Sequence, residues 1–296
     1  MLVIGERGEV WYHGLGENKL FEDPIPEDII RGVYAIKNIH GTIYITGTHR
    51  AVVRRDGINK WTLISKEIKD LSQKTYDLAE KKGGSFHPGF RCIDGFEAHK
   101  ELYAAGGKGD VWYFNGKEWT GVDIPLAQMH ISSICCAADG YVYIAGRFGA
   151  LLRGRGDSWE IINHQQTEAD FRDIVDYNGT VYVCTEGELY TVEKNTNEKD
   201  NKQADKQHTL KTVDFGAIGK PFSFSALYAN HGLLMASGSF SACIFNGKDW
   251  KLLYGSAKAD EIIEFSLQTQ ATEKLEEAME KLENAADMIK KHQKKE

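Results

Sequence analysis

The residues of this sequence best placed to bind another molecule lie in a set of short glycine-rich turns. Five are basic and two are aromatic: Arg7, His49, Arg50, Lys108, Arg147, Phe148 and Phe240. Cationic side chains gathered at one place would attract a carboxylate, a phosphate or an acidic protein surface. The competing interpretation is that turns simply favour polar residues, and that glutamates such as Glu6 and Glu186 cancel the positive charge.

Catalytic and metal-binding motifs are absent from the sequence. No His-x-x-x-His or Cys-x-x-Cys spacing indicates zinc, and the turns GERG, GGKG and GRFG lie inside predicted hairpins, not before helices that could bind phosphate. We therefore assign no catalytic residue, metal or cofactor. The carboxylate pairs Asp170/Asp173 and Asp173/Asp176 leave open a glycoside hydrolase acting on an acidic sugar. Charged strand ends exposed to solvent explain them more simply.

Composition limits the class of protein. The 296 residues are 42% hydrophobic and 27% charged, with a formal net charge of −7, which fits a globular protein and argues against general nucleic-acid binding. No signal-peptide pattern or apolar run of 18 residues occurs, so we expect a cytoplasmic protein that does not cross a membrane. Five cysteines cannot all pair within one chain, and we expect buried free thiols in strands at Cys92, Cys135, Cys136, Cys184 and Cys243.

A repeated unit organises most of the chain. Its clearest copy, residues 140–163, reads GYVYIAGRFGALLRGRGDSWEIIN, and an apolar run just before it supplies a further strand. Four strands in about forty residues are typical of one propeller blade. The second strand of successive units carries Tyr44, Tyr103, Tyr143, Tyr182 and Met235. The closing tryptophans, which we expect to be buried between blades, are Trp61, Trp119, Trp159 and Trp250. Six units predict an all-β, six-bladed β-propeller.

The two ends of the chain complete the predicted organisation. The propeller is expected to span residues 1–268, with 260–268 (DEIIEFSLQ) supplying the inner strand that the first unit lacks and so closing the ring. Apolar residues at helical spacing predict a C-terminal amphipathic α-helix over 269–296. Within it, 270–292 could pack on the propeller, self-associate or dock on a partner.

These units resemble those of WD-repeat-like and Asp-box-like bacterial β-propellers. The shared features are the VYIAG-type second strand, the glycine-rich turn and an Asn/Asp/Arg-Gly-x-x-Trp close, over roughly residues 1–268. No unit has the Gly-His and Trp-Asp pair of true WD repeats or a full Ser-x-Asp-x-Gly-x-x-Trp box. The resemblance therefore implies the fold and transfers no catalytic residue.

The repeat also predicts where the candidate residues lie. Turns between second and third strands gather on one propeller face with the blade-to-blade connections, so the seven turn residues should surround the central mouth. We expect a non-enzymatic, protein-binding propeller, of which one form is an immunity protein that neutralises a partner toxin or enzyme. The alternatives are an assembly or scaffold factor for a larger complex, and a sialidase-like glycoside hydrolase.

Overall fold

The chain folds into a series of antiparallel sheets. The computed structural model describes residues 2–12, 20–70, 88–194 and 208–255. These ranges contain 23 β-strands and two short 3-10 helices, Thr48–Arg50 and Gly216–Ile218, but no α-helix. Strands consecutive in sequence are neighbours in every sheet, so each sheet is an up-and-down meander, as the all-β prediction requires.

The first sheet, here called the N-terminal sheet, has three strands. These are β1 (Leu2–Ile4), β2 (Val10–Tyr12) and β3 (Leu20–Glu22). Val10 shares a buried apolar cluster with Ile45 and Val53 of the next sheet. The N-terminal sheet therefore packs against the blade that follows it in sequence.

Five four-stranded blades follow. Blade 1 contains β4 (Val33–Ile39), β5 (Thr42–Gly47), β6 (Val52–Gly57) and β7 (Lys60–Leu63). Blade 2 contains β8 (Cys92–Glu97), β9 (Glu101–Gly106), β10 (Asp110–Phe114) and β11 (Trp119–Val122). Blade 3 contains β12 (Ile131–Cys136), β13 (Val142–Gly146), β14 (Leu151–Arg155) and β15 (Ser158–Ile161). Blade 4 contains β16 (Asp173–Tyr177), β17 (Thr180–Cys184), β18 (Leu189–Lys194) and β19 (His208–Thr212). Blade 5 contains β20 (Ala226–Asn230), β21 (Leu233–Ser237), β22 (Ser241–Phe245) and β23 (Trp250–Gly255).

Tight turns set the register between the first two strands of a blade. Asn178 and Gly179 both have positive φ, 53° and 82°, and the flanking Tyr177 pairs with Thr180. A two-residue turn of this kind needs positive φ at both central positions, which asparagine and glycine tolerate better than other residues. The polar-glycine dipeptides of the sequence thus fix which face of each strand is buried.

Apolar layers between adjacent blades form the core. The equivalent second-strand aromatics are buried, with exposed fractions of 0%, 1%, 3% and 8% for Tyr44, Tyr103, Tyr143 and Tyr182, whereas Met235 of blade 5 is 37% exposed. Among the repeated tryptophans only Trp119 is buried, and Trp61, Trp159 and Trp250 are half-buried. All five cysteines are free thiols in strands, as predicted; four of them are buried, whereas Cys136, also predicted to be buried, is half-buried.

The predicted number of six blades was wrong. The structure has five four-stranded blades, whereas residues 2–22 form a sheet of three. Leu2 already occupies a second-strand position, and among the described residues no strand pairs with the other edge of β1. The expected inner strand 260–268, the boundary at 268, the C-terminal helix over 269–296 and its association surface 270–292 lie outside the described residues.

Candidate mouth-face binding site

Hydrogen bonds between blades bring the predicted turns to one face. The backbone N–H that leads into an inner strand donates to the turn after the second strand of the preceding blade. Three such bonds are Phe90 N–H to the Gly47 carbonyl (3.0 Å), Phe171 N–H to the Gly146 carbonyl (3.0 Å) and Phe224 N–H to the Glu186 carbonyl (2.8 Å). We call the surface formed by these turns and strand starts the mouth face.

A group of cations lies where blades 2 and 3 meet on this face. Lys108 forms a β-bridge with His130, and the Arg147 N–H donates to the His130 carbonyl at 3.0 Å. Burial, and then the charges of Arg147, Arg91 and Lys108, lower the pKa of His130, with Asp170 opposing them. We call Arg91, Lys108, His130 and Arg147 the basic cluster. Because the charges of Arg147, Arg91 and Lys108 each act on His130 more strongly than that of Asp170, the local potential is positive in a protein of negative net charge.

Two other predicted basic residues hold neighbouring parts of the protein together. The Nε and Nη2 of Arg50 each donate to a carboxylate oxygen of Asp110 at 2.8 Å, and its guanidinium lies 5.3 Å from the Trp112 ring centroid. His49 Nδ1 lies 2.6 Å from Asp70 Oδ2. Arg50 therefore joins blade 1 to blade 2, and its bidentate pair leaves little of its charge for a partner.

The other predicted residues occupy separate parts of the mouth face. Arg7 is exposed in the turn between β1 and β2, where its backbone N–H donates to Glu9 Oε2 at 3.2 Å. Phe240 of blade 5 lies edge-on to Phe222, with ring centroids 5.9 Å apart. Of the seven predicted residues, Lys108, Arg147 and Phe148 are thus brought together, whereas the other four lie elsewhere on the ring or in ion pairs.

The turn between β13 and β14 presents Phe148 to solvent. Its side chain is 82% exposed and its φ is +58°, a region that bulky residues rarely adopt. Asp170 accepts the Phe148 N–H at 2.9 Å and lies 3.6 Å from Arg147 Nε. Gly149 follows with φ +67°, and a Cβ there would lie 2.2 Å from the Thr167 carbonyl oxygen. Asp170 and Gly149 therefore hold this turn in place.

Two arginines of the mouth face were missed by the sequence reasoning. Arg91 and Arg172 precede the inner strands of blades 2 and 4, and both line the central cavity. Arg172 pairs with Glu186 at 3.0 Å, whereas exposed Arg91 has no ion pair among the described residues. Each follows a buried phenylalanine, in GFRC and FRDI. This repeated Phe-Arg dipeptide was the signal that could have found them.

The central cavity has a volume of about 1000 Å³. The inner strands of all five blades and Leu2 line it. In its wall, Lys37 Nζ lies 3.8 Å from Asp94 Oδ2, which accepts the Cys136 N–H of the next blade at 3.0 Å. Burial raises the pKa of Asp94, although the charge of Lys37 opposes the shift. This ion pair therefore links three consecutive inner strands.

The carboxylates considered as acid/base pairs also bind their own protein. Asp173 accepts hydrogen bonds from the Ser133 hydroxyl at 2.6 Å and the Leu227 N–H at 2.8 Å. Asp176 accepts the Ala138 N–H at 3.2 Å, and Asp170 holds the Phe148 turn. Burial raises the pKa of Asp173, with its hydrogen bonds opposing the shift. These contacts between blades favour a structural role for the carboxylates.

Neither a metal-binding cluster nor a membrane-spanning helix occurs in the described ranges. His, Cys, Asp and Glu side chains in this part of the chain form no group of three placed to hold a metal ion. No helix found there has the length and hydropathy needed to cross a bilayer.

Solved structures share this architecture at low sequence identity. YCF48 bound to D1 peptide matches with a TM-score of 0.55 and 10% identity, over 85% of this chain and 76% of that one. The β-propeller domain of Myceliophteria thermophila Cps50 (Swd1) gives 0.52 and 10%, over 86% and 85%. Virginiamycin B lyase from Staphylococcus aureus gives 0.51 and 11%, over 87% and 84%. At this identity the likeness defines the fold alone: the chain is a β-propeller.

Comparison of sequences defines the family more specifically than comparison of folds. No family model matches the chain. It is, however, 32% identical over 254 residues to immune protein Tsi7 of Pseudomonas aeruginosa, an alignment that covers 84% of this chain and 74% of that protein. The chain belongs to the family of this immune protein.

Proposed function

We propose that the protein is an immunity protein that binds a partner toxin through the mouth face and neutralises it without catalysing a reaction. The observation that carries the proposal is the 32% identity to an immune protein over most of both chains. In this mechanism, neutralisation results from the stability of the complex and from the toxin surface that the complex covers.

The construction of the mouth face supports this role. A specific protein complex buries about 800 Å² per partner, and turns from successive blades provide a continuous surface with both basic and aromatic side chains. The bonds that fix these turns to the next blade, such as Phe90 N–H to the Gly47 carbonyl at 3.0 Å, order the surface before binding. Less conformational entropy is then lost on association.

Co-expression tests the proposal. The chain is produced in a heterologous bacterium together with the product of each gene that adjoins its own, and growth is compared with that of cells producing the adjoining product alone. We expect one product to be toxic alone, harmless with the chain, and recoverable in a stable complex with it. Failure of the chain to protect against any toxic product, or protection without a complex, would contradict the proposal.

The same complex distinguishes binding from catalysis. Toxin released from it by denaturation and refolded should have its original mass in intact-protein mass spectrometry and should regain its toxicity. A changed mass, or protection by sub-stoichiometric amounts of the chain, would show that the chain acts as an enzyme on its partner.

A further inference from the structure

The turn that carries Phe148 has the properties of a binding anchor. Phe148 is 82% exposed, the largest exposed fraction among the large hydrophobic side chains of the described residues. The ring gains no burial that would offset its φ of +58°. An unfavourable backbone conformation persists only where surrounding contacts impose it, and here the imposing group is Asp170, through its 2.9 Å bond to the Phe148 N–H.

The chemistry around this aromatic ring is cationic. Arg147 precedes it, and Arg147, Arg91 and Lys108 together act on His130. Aromatic residues and arginine are enriched at the centres of protein interfaces, whereas lone exposed phenylalanines contribute little to folding. The Phe148 ring could fill an apolar recess on a partner, and the cations beside it could pair with carboxylates around that recess. The turn would then bind a surface of complementary shape and charge.

We propose that the Arg147–Phe148 turn, held in place by Asp170, is the anchor that binds an acidic surface of the toxin, with the Phe148 ring entering an apolar recess bordered by carboxylates. This inference rests on the proposed function and specifies the partner surface. Asp170 is then a positioning residue, because it acts on the partner only through the orientation of Arg147 and Phe148.

Two substitutions test the anchor directly. The probe is the adjoining gene product that the full chain neutralises, and binding is followed by surface plasmon resonance. Phe148→Ala should raise Kd by about 30-fold or more, mainly through faster dissociation. Arg147→Glu should slow association, with an effect that shrinks as salt is added.

Matched controls lie on the opposite face, in turns between third and fourth strands. Ile58, 63% exposed between β6 and β7, is the control for Phe148, and exposed Lys117, between β10 and β11, is the control for Arg147. Ile58→Ala and Lys117→Glu should leave Kd within about twofold, as expected for residues outside the interface. Thermal melts of all variants should agree closely, because exposed substitutions change stability by under about 0.5 kcal/mol.

The variant Asp170→Ala distinguishes a positioning role of Asp170 from the effect of its negative charge. Removing a carboxylate beside the basic cluster should speed association with an acidic partner. If Asp170 also holds the anchor, dissociation should accelerate more, so that Kd rises despite the added positive charge. A lower Kd would show that only charge matters, and would overturn the positioning role.

The outcomes distinguish this inference from the proposed function. If the chain neutralises its toxin while Phe148→Ala leaves Kd within about twofold, the anchor is wrong and the immunity role stands. Equal effects of Lys117→Glu and Arg147→Glu would likewise reject the mouth face as the acidic contact. If no adjoining product is neutralised, the proposed function itself fails, and the anchor fails with it.

Discussion

Replacing Trp119 with alanine should destabilise the fold more than replacing any other repeated tryptophan. Trp119 is 7% exposed, its ring centroid lies 5.0 Å from that of Phe114 and 6.4 Å from that of Phe90, and its Nε1 donates to the Ile64 carbonyl at 3.0 Å. Truncating a buried tryptophan costs about 3–5 kcal/mol. The substitution also removes the hydrogen bond to the Ile64 carbonyl, so we expect a cost in the upper part of that range.

Urea unfolding followed by far-UV circular dichroism measures the loss, and calorimetry gives a second estimate. At about 2–4 °C per kcal/mol, the melting temperature should fall by roughly 6–20 °C. Trp159 is the matched control, because it is half-buried and its Nε1 bonds within its own hairpin, to the Gly156 carbonyl at 2.8 Å. A loss for Trp119→Ala below about 1 kcal/mol, or below that for Trp159→Ala, would refute the argument that blade-to-blade burial determines the cost.

Three further predictions concern the rest of the ring. Burial raises the pKa of Asp173, so the folded state binds more protons than the unfolded state just above about pH 4. Urea titrations should therefore show the unfolding free energy of the wild type falling, relative to that of Asp173→Asn, from about pH 4 to pH 7. A rise in this difference would contradict the raised pKa. In calorimetry, Arg153→Met should lower the unfolding free energy by about 2–3 kcal/mol, because buried Arg153 donates to the Tyr143 hydroxyl at 3.0 Å. Arg155 is exposed, so Arg155→Met should lower it by under about 1 kcal/mol. Equal losses of stability would refute the role of burial. If 260–268 packs on the N-terminal sheet, a 1–256 chain should melt below a 1–268 chain, and equal melting temperatures would exclude that packing.

Local sequence patterns predicted the four-stranded blades but not their number. The second-strand tyrosines follow apolar runs and precede glycine-rich turns, and a period of about forty residues places them at equivalent buried positions. The tryptophans were less predictable. Trp119 and Trp159 occur in similar sequence contexts, yet only Trp119 donates across to the preceding blade connection, at Ile64. Burial of a residue at the outer edge depends on what the adjacent blade places opposite it, and one unit's sequence does not contain that information.

The positions of the turns in the chain were predictable, whereas the contacts of their side chains were not. The period placed Arg50 and Arg147 in equivalent turns, and the structure agrees. It could not show that Asp110 of the next blade binds Arg50 in a bidentate pair. The predicted count of six blades assumed that 260–268 supplies the inner strand missing from the N-terminal unit, and among the described residues that unit is a sheet of three strands. The Arg50–Asp110 pair joins residues far apart in sequence, and the period of the repeat does not contain that contact.

We expect the distribution of charge on the mouth face to favour one orientation of the proposed toxin. The chain carries a formal net charge of −7, so its overall charge would oppose the approach of an acidic partner of the kind proposed. Near blades 2 and 3, burial is the largest cause of the lowered pKa of His130, and the charges of Arg147, Arg91 and Lys108 then act on it more strongly than that of Asp170. At physiological ionic strength charges act over about 8 Å, so distant carboxylates have little influence on a partner already in contact with Arg147. If the toxin surface is acidic, as proposed, attraction near Arg147 would favour the orientation in which that surface meets Phe148.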